Sequence, residues 1–162
     1  MATEPRPGEN LAPEDFAAIV RLTPLVSMDL IVRNREGRIL LGRRLNEPAR
    51  GVYFVPGGRI TKNESRPNAF RRLCQMELGR EYEMSQARFI GTFDHIYATN
   101  ALQRPGFGTH YVVLAFEWAL APDHGALPDE QHSDYLWATE VEILQRPDVH
   151  ENTKAYFRQP SR

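Results

Sequence analysis

The chain has 162 residues, of which 41% are apolar and 25% charged, a balance that suits one globular domain around a single core. A net charge of −1 excludes a general nucleic-acid-binding or polybasic membrane surface, while leaving room for a local basic pocket. No apolar run approaches the roughly 18 residues that span a bilayer. The single cysteine, Cys74, excludes an intrachain disulfide framework and a cysteine-based zinc site, and a reducing cytoplasm is the simplest compartment.

Residues 1–10 hold no apolar signal core and read as a flexible tail, which leaves residues 11–162 as one domain. In "APEDFAAIVRLT", Pro13 and two acids precede Phe16, Ile19 and Val20 at helical spacing, predicting a short helix. "LVSMDLIVRNREGRILLGRR" reads as a hairpin turning at "NREG", and "VYFV" as a short strand running into "PGGR". A helix then begins at Glu64 or Ser65, tolerates Pro67 in its first turn, and stops at Gly79. "ARFIGTFDHIY", "HYVVLAFEWAL" and "YLWA" are strand-like, the first two separated by a Gly/Pro-containing loop at 98–109. "TEVEILQ" and "NTKAYFRQ" read as C-terminal helices. Strands, one central helix, more strands and final helices favour an α+β sandwich over a doubly wound parallel sheet.

On the central helix, Phe70, Leu73, Cys74 and Glu77 fall on one stripe, so Glu77 lies on or beside the buried face. An ionised carboxylate there needs a cation, an arginine or a proton. One reading is a rim glutamate bridged to an arginine; the other uses the preceding "VPGGR". Two adjacent glycines turn the backbone sharply and expose its polar groups, and with the inward acid they form a hard-oxygen site for Mg²⁺. Arg59, with Arg43 and Arg44 on the hairpin, supplies fork-shaped donors for phosphate oxygens, unless the hairpin pair is only a solvated strand edge.

A second constellation is "LPDEQHSDYLW", read as a polar loop ahead of the last strand. His132 there suits a general base, with Asp129, Glu130 and Asp134 near enough to orient it, although a solvated polar loop accounts for the same letters. His124 and His150 lie in turns and are expected to be solvent-exposed, whereas His95 and His110 lie on strands in hydrogen-bonded structural roles. Asp29, a carboxylate in an apolar strand, needs a partner such as a His or Arg in a ligand pocket.

The spacing Gly58-x5-Glu64-x7-Arg72, followed by Glu77 and Gly79, resembles the Nudix box of hydrolases acting on nucleoside diphosphates linked to another group. Two glutamates of that pattern are replaced, by Leu73 and Met76. Together with "TPLVSMDLIV", "LLGRR", "FVPGGRI", "THYVVLAF" and "LPDEQHSDYLW", the box resembles the GDP-mannose mannosyl hydrolase branch from about residue 11 to about residue 157.

The resemblance implies a Nudix fold, a mixed sheet sandwiched between helices, and Mg²⁺-dependent hydrolysis of GDP-mannose, with GDP-glucose alongside it, to GDP and inverted free sugar. It implies one Mg²⁺ per subunit, with Mn²⁺ as a substitute, held by the Gly57 carbonyl, Glu77, Gln131 and the substrate phosphates. His132 would be the base for water attacking sugar C1, with Arg44, Arg59 and Tyr111 holding the departing GDP and Asp29 and His95 orienting sugar or base. Tyr97 and Phe107 are stacking candidates for guanine, or ordinary packing residues. The family suggests a homodimer, with no nucleic-acid or membrane partner. Two other readings are a conventional Nudix diphosphatase yielding GMP and sugar 1-phosphate, and a non-catalytic nucleotide-sugar-binding module.

Overall fold

The computed structural model describes residues 4–121, 126–128 and 132–158, with backbone alone at 132 and 133. Its elements are α1 (Pro13–Leu22), β1 (Leu25–Arg33), β2 (Ile39–Arg44), β3 (Tyr53–Phe54), β4 (Gly57–Arg59) and α2 (Arg66–Leu78). A 3-10 turn at Met84–Gln86 leads into β5 (Arg88–Tyr97), β6 (Thr109–Ala119), β7 (His132–Ala138), α3 (Glu140–Gln145) and α4 (Glu151–Ala155). The strands form one mixed sheet ordered β3-β2-β1-β6-β5, with β4 also paired to β1 and β7 to β2. The β1–β6 pair is parallel and the other strand pairs are antiparallel.

β1 sits inside the sheet, and the alternation of its side chains divides the core in two. Met28, Leu30 and Val32 point to one face, where Phe70, Leu73, Cys74 and Leu78 of α2 close over them with Phe116 and Trp118. Ile31 points to the other face, among Ile39, Leu41, Val55, Ile143 and Val149 beneath the C-terminal helices. Asp29 shares the parity of Ile31, so β1 directs its carboxylate to the side of the sheet that the C-terminal helices cover.

The central helix starts as the sequence predicts. Ser65 is its N-cap, accepting from the Asn68 amide at 3.4 Å, and Pro67 lies in the first turn. Gly79 ends it in the left-handed conformation at φ 73°. The glycine pair, by contrast, is not a bare turn: Gly57–Arg59 is a strand laid along β1 with Met28 opposite Gly58 and Asp29 opposite Gly57. A Cβ on Gly57 would stand 2.4 Å from the Met28 carbonyl oxygen, and one on Gly58 would stand 2.5 Å from Leu73 Cδ2. Close approach of β4 to the β1 backbone excludes a side chain at Gly57, while at Gly58 the close neighbour is the tip of the Leu73 side chain.

Glu64 and Arg72 pin this assembly. Arg72 donates through Nε and Nη2 to the two Glu64 oxygens at 2.6 and 2.8 Å, and through Nη2 to the Arg59 carbonyl at 2.9 Å. Thr61 adds a backbone and a hydroxyl donor to the same carboxylate at 3.0 and 2.9 Å. Cys74 is fully buried, and burial pushes its thiol up to about 12, which makes it inert packing.

Two expectations need correction. The last strand begins at His132 rather than Tyr135, because residues 132–138 pair with β2 and put His132 opposite Arg44. His150 is not a solvated turn residue. It caps α4 by accepting from the Asn152 amide at 3.1 Å, and its ring stacks on Phe54 at 4.5 Å between centroids.

Candidate active site

One open cleft gathers predicted residues from five strands and a helix. Asp29 comes from β1, Arg44 from the end of β2, and Gly57, Gly58 and Arg59 from β4. Glu77 comes from α2, His95 and Tyr97 from β5, and Tyr111 from β6. Parallel pairing of β1 with β6 and antiparallel pairing of β5 with β6 bring these positions to one region of the sheet, with His95 opposite Tyr111. Gln131, like Asp129, Glu130 and His124, lies outside the described residues, as does the side chain of His132.

The electrostatics are those of a partly desolvated, mixed-charge site. Burial raises Asp29 to about 6, with the Glu77 charge adding to the rise and Arg44 and a Tyr156 hydrogen bond opposing it. Burial also lowers the Arg59 guanidinium from its usual value, yet arginine stays charged near neutrality. Tyr111 is raised by burial and pulled back by Arg44 and Arg59, which brings both guanidiniums within its field. Burial pushes Tyr97 up to about 12 and His95 down to about 4, so both are neutral at ordinary pH. Arg59 lies over the Phe16 ring at 4.5 Å, which ties the cleft to α1, and Arg44 lies over Phe54 at 5.1 Å.

Glu77 is 5% exposed and borders the cleft from the buried stripe of α2. Gly57 faces Asp29 across β1, whereas the flanking ladder bonds run from Leu30 N to the Pro56 carbonyl and from Ile60 N to the Val26 carbonyl. Antiparallel ladders bond at alternate pairs, so the Gly57 carbonyl is not committed to β1. A buried carboxylate and an uncommitted carbonyl beside a second carboxylate are hard oxygen donors that suit Mg²⁺. Among the described residues, no group of three or more His, Cys, Asp or Glu side chains forms a metal cluster by itself. Of the two replaced box positions, Leu73 is 2% exposed and packed in the core, and Met76 is 44% exposed, receiving Arg72 at its sulfur.

Other expectations resolve differently. Arg43 is exposed and donates to the Gly51 carbonyl at 2.9 Å, so the solvated-edge reading holds for it and not for Arg44. Asp134 accepts from the Tyr53 hydroxyl at 2.6 Å through Oδ2. Phe107 is not part of the cleft wall; its carbonyl and that of Arg104 accept from Asn100, both at 2.8 Å, shaping the 98–109 loop. Sequence reasoning missed Ser27, Asn46 and Phe54 in the wall, and Tyr156 behind it. Ser27 and Phe54 stand inside resembling stretches without a chemical pattern of their own, while Asn46 after β2 and Tyr156 after α4 reach this region only through the packing of the fold.

The fold and site together define a hydrolase-type α+β sandwich whose loop–helix unit points one buried acid at an arginine- and tyrosine-lined cleft. A sequence model of the NUDIX domain matches residues 23–159, and the chain belongs to the Nudix hydrolase family. It is 42% identical over 129 residues to the low-salt glycan biosynthesis protein Agl8 of Haloferax volcanii, covering 79% of each chain. It is 25% identical over 130 residues to the CTP pyrophosphohydrolase of Escherichia coli, covering 76% of this chain and 82% of that protein. Among solved structures, the MutT NUDIX hydrolase of Burkholderia pseudomallei superposes with a TM-score of 0.68 at 26% identity, covering 86% of this chain and 99% of that one.

Proposed function

We propose that this Nudix hydrolase cleaves GDP-mannose, and GDP-glucose with it, at the sugar C1, giving GDP and free sugar with inversion. The observation that carries the reading is the fate of the box acids: Glu77 reaches the cleft, while Leu73 is core and Met76 is surface. Attack at an anionic phosphorus calls for several cations around the water, and the helix lacks the carboxylates to hold them. Attack at carbon calls for a good leaving group and a base on the opposite face. The glycan-biosynthesis name of the Haloferax relative is in keeping with a sugar substrate.

On this reading the Gly57 carbonyl, Glu77 and Gln131 would hold one Mg²⁺ with the substrate phosphates, and Mn²⁺ would serve in its place. The bound ion supplies positive charge that offsets the diphosphate and steadies the leaving oxygen. Arg44 and Arg59 donate to the diphosphate, their charge persisting because guanidinium does not deprotonate near neutrality. Tyr111, neutral and within the field of both arginines, donates its hydroxyl proton to the same oxygens. His132 accepts a proton from water as the water oxygen bonds to C1. The C1–oxygen bond breaks, and its electron pair leaves on the β-phosphate of GDP. Asp29 and His95 hold the sugar. A homodimer working in the cytoplasm belongs to the same reading.

The deciding experiment is hydrolysis of GDP-mannose with Mg²⁺ in ¹⁸O-water. Label in free mannose beside unlabelled GDP is the expected result. GMP with mannose 1-phosphate would instead make the protein a conventional diphosphatase, and binding without turnover would make it a nucleotide-sugar-binding module.

A further inference from the structure

Two groups that line the cleft, Asp29 and His95, meet behind its wall at a third residue. The Tyr156 hydroxyl donates to Asp29 Oδ2 at 2.6 Å and lies 3.2 Å from His95 Nε2. Tyr156 follows α4 and is not part of the cleft wall. Its ring is held edge-on against Phe93, 4.7 Å between centroids and 89° between planes, so the hydroxyl has a defined direction. Three elements distant in sequence thus converge on one oxygen: β1, β5 and the end of α4.

The hydroxyl has one proton to give. Burial, reinforced by the nearby Asp29 charge, raises Tyr156 well above its ordinary range, so that proton stays on the hydroxyl. At 2.6 Å from a carboxylate oxygen, the proton is committed to Asp29 as a charge-assisted bond. The contact with His95 must then run the other way, from Nε2–H to the tyrosine oxygen. His95 is 4% exposed, and burial, with the His150 charge adding, pushes it down to about 4, so the ring is neutral and holds a single proton. If that proton is on Nε2, Nδ1 is an acceptor.

We propose that Tyr156 is a positioning residue for this site: its hydroxyl fixes the orientation of the Asp29 carboxylate and holds His95 as the Nε2–H tautomer. The proposal rests on the function assigned above. It adds a chemical consequence: the hydrogen-bonding capacity left on both cleft-lining groups is acceptance, the complement of the hydroxyl hydrogens of a sugar. A diphosphate or a carboxylate, which only accepts, gains nothing from such a pair.

The test is long-range ¹H–¹⁵N correlation of histidine-labelled protein at pH 8, in wild type and Tyr156→Phe, with His95 assigned from the signal lost in His95→Gln. Wild type should show His95 as the neutral Nε2–H tautomer, and Tyr156→Phe should show a mixed-tautomer signal. With GDP-mannose, Tyr156→Phe should lower kcat about tenfold and leave KM within about twofold, the loss of one hydrogen bond acting on geometry. An Nδ1–H signal in wild type, an unchanged His95 signal in Tyr156→Phe, or an unaltered kcat would each overturn the proposal. If Tyr156→Phe fails to fold, the wild-type spectrum decides the tautomer. If wild type does not turn over GDP-mannose, the substrate reading falls, while the spectra still decide the assignment of Tyr156.

Discussion

Glu64→Gln isolates the ion pair that holds the glycine-pair strand and α2 together. The Glu64 side chain is 3% exposed and accepts four hydrogen bonds, two from Arg72 and two from Thr61. The substitution keeps the shape but removes the charge and turns an amide NH₂ toward one of those donors. Breaking a buried, hydrogen-bonded pair costs about 3–5 kcal/mol, and the partial exposure of Arg72 brings the expectation to about 2–4 kcal/mol. For a chain of this size that is a fall in Tm of about 4–16 °C.

Acid should erase much of this difference. Burial alone would raise Glu64, but the bonds from Arg72 and Thr61 outweigh it and the net shift is downward. A depressed carboxylate stabilises the fold above its unfolded value of about 4.3 and loses that contribution as pH falls through the lower folded value. Calorimetry at pH 7 and near pH 3 should therefore show a wide gap between wild type and variant that narrows in acid. A gap under about 2 °C at pH 7, or one equally wide at both pH values, would refute the reasoning.

Two further predictions concern the reaction. His132→Gln should slow GDP-mannose turnover by about 10²–10⁴-fold with little loss of substrate binding, as for removal of a general base, and a rate within a few-fold of wild type would reassign the base. Leu73→Glu restores an acid of the Nudix pattern but puts it in the α2 core, removing about 2–3 kcal/mol of apolar burial and adding a desolvated charge. It should lower Tm by about 4 °C or more without producing GMP; a stable Leu73→Glu that releases GMP would show that the position faces substrate.

Much of this protein is written in local patterns. The Ser65 cap, Pro67 and Gly79 delimit α2 because capping and left-handed conformation are properties of a few neighbouring residues. Helical spacing likewise placed Glu77 on the buried stripe, and runs rich in strand-forming residues recovered β1, β5 and β6. Arg44, Arg59, Asp29, His95, Tyr97 and Tyr111 were nominated by residue type and resemblance, and all line the cleft. Local pattern failed at His150, which stacks on Phe54, a residue remote in the chain.

By itself, the sequence determined the order of elements, the box helix and its single inward acid, because each depends on contacts within a turn or two of the chain. Tertiary structure alone decided why position 57 requires glycine, since the atom that excludes a Cβ there is the Met28 carbonyl oxygen on β1. It also decided which side of the sheet Asp29 faces, and therefore that Tyr156, 127 residues away, donates to it. Hydrogen bonds across that distance leave no periodic trace in the chain; they exist only once β1, β5 and the end of α4 are packed against one another.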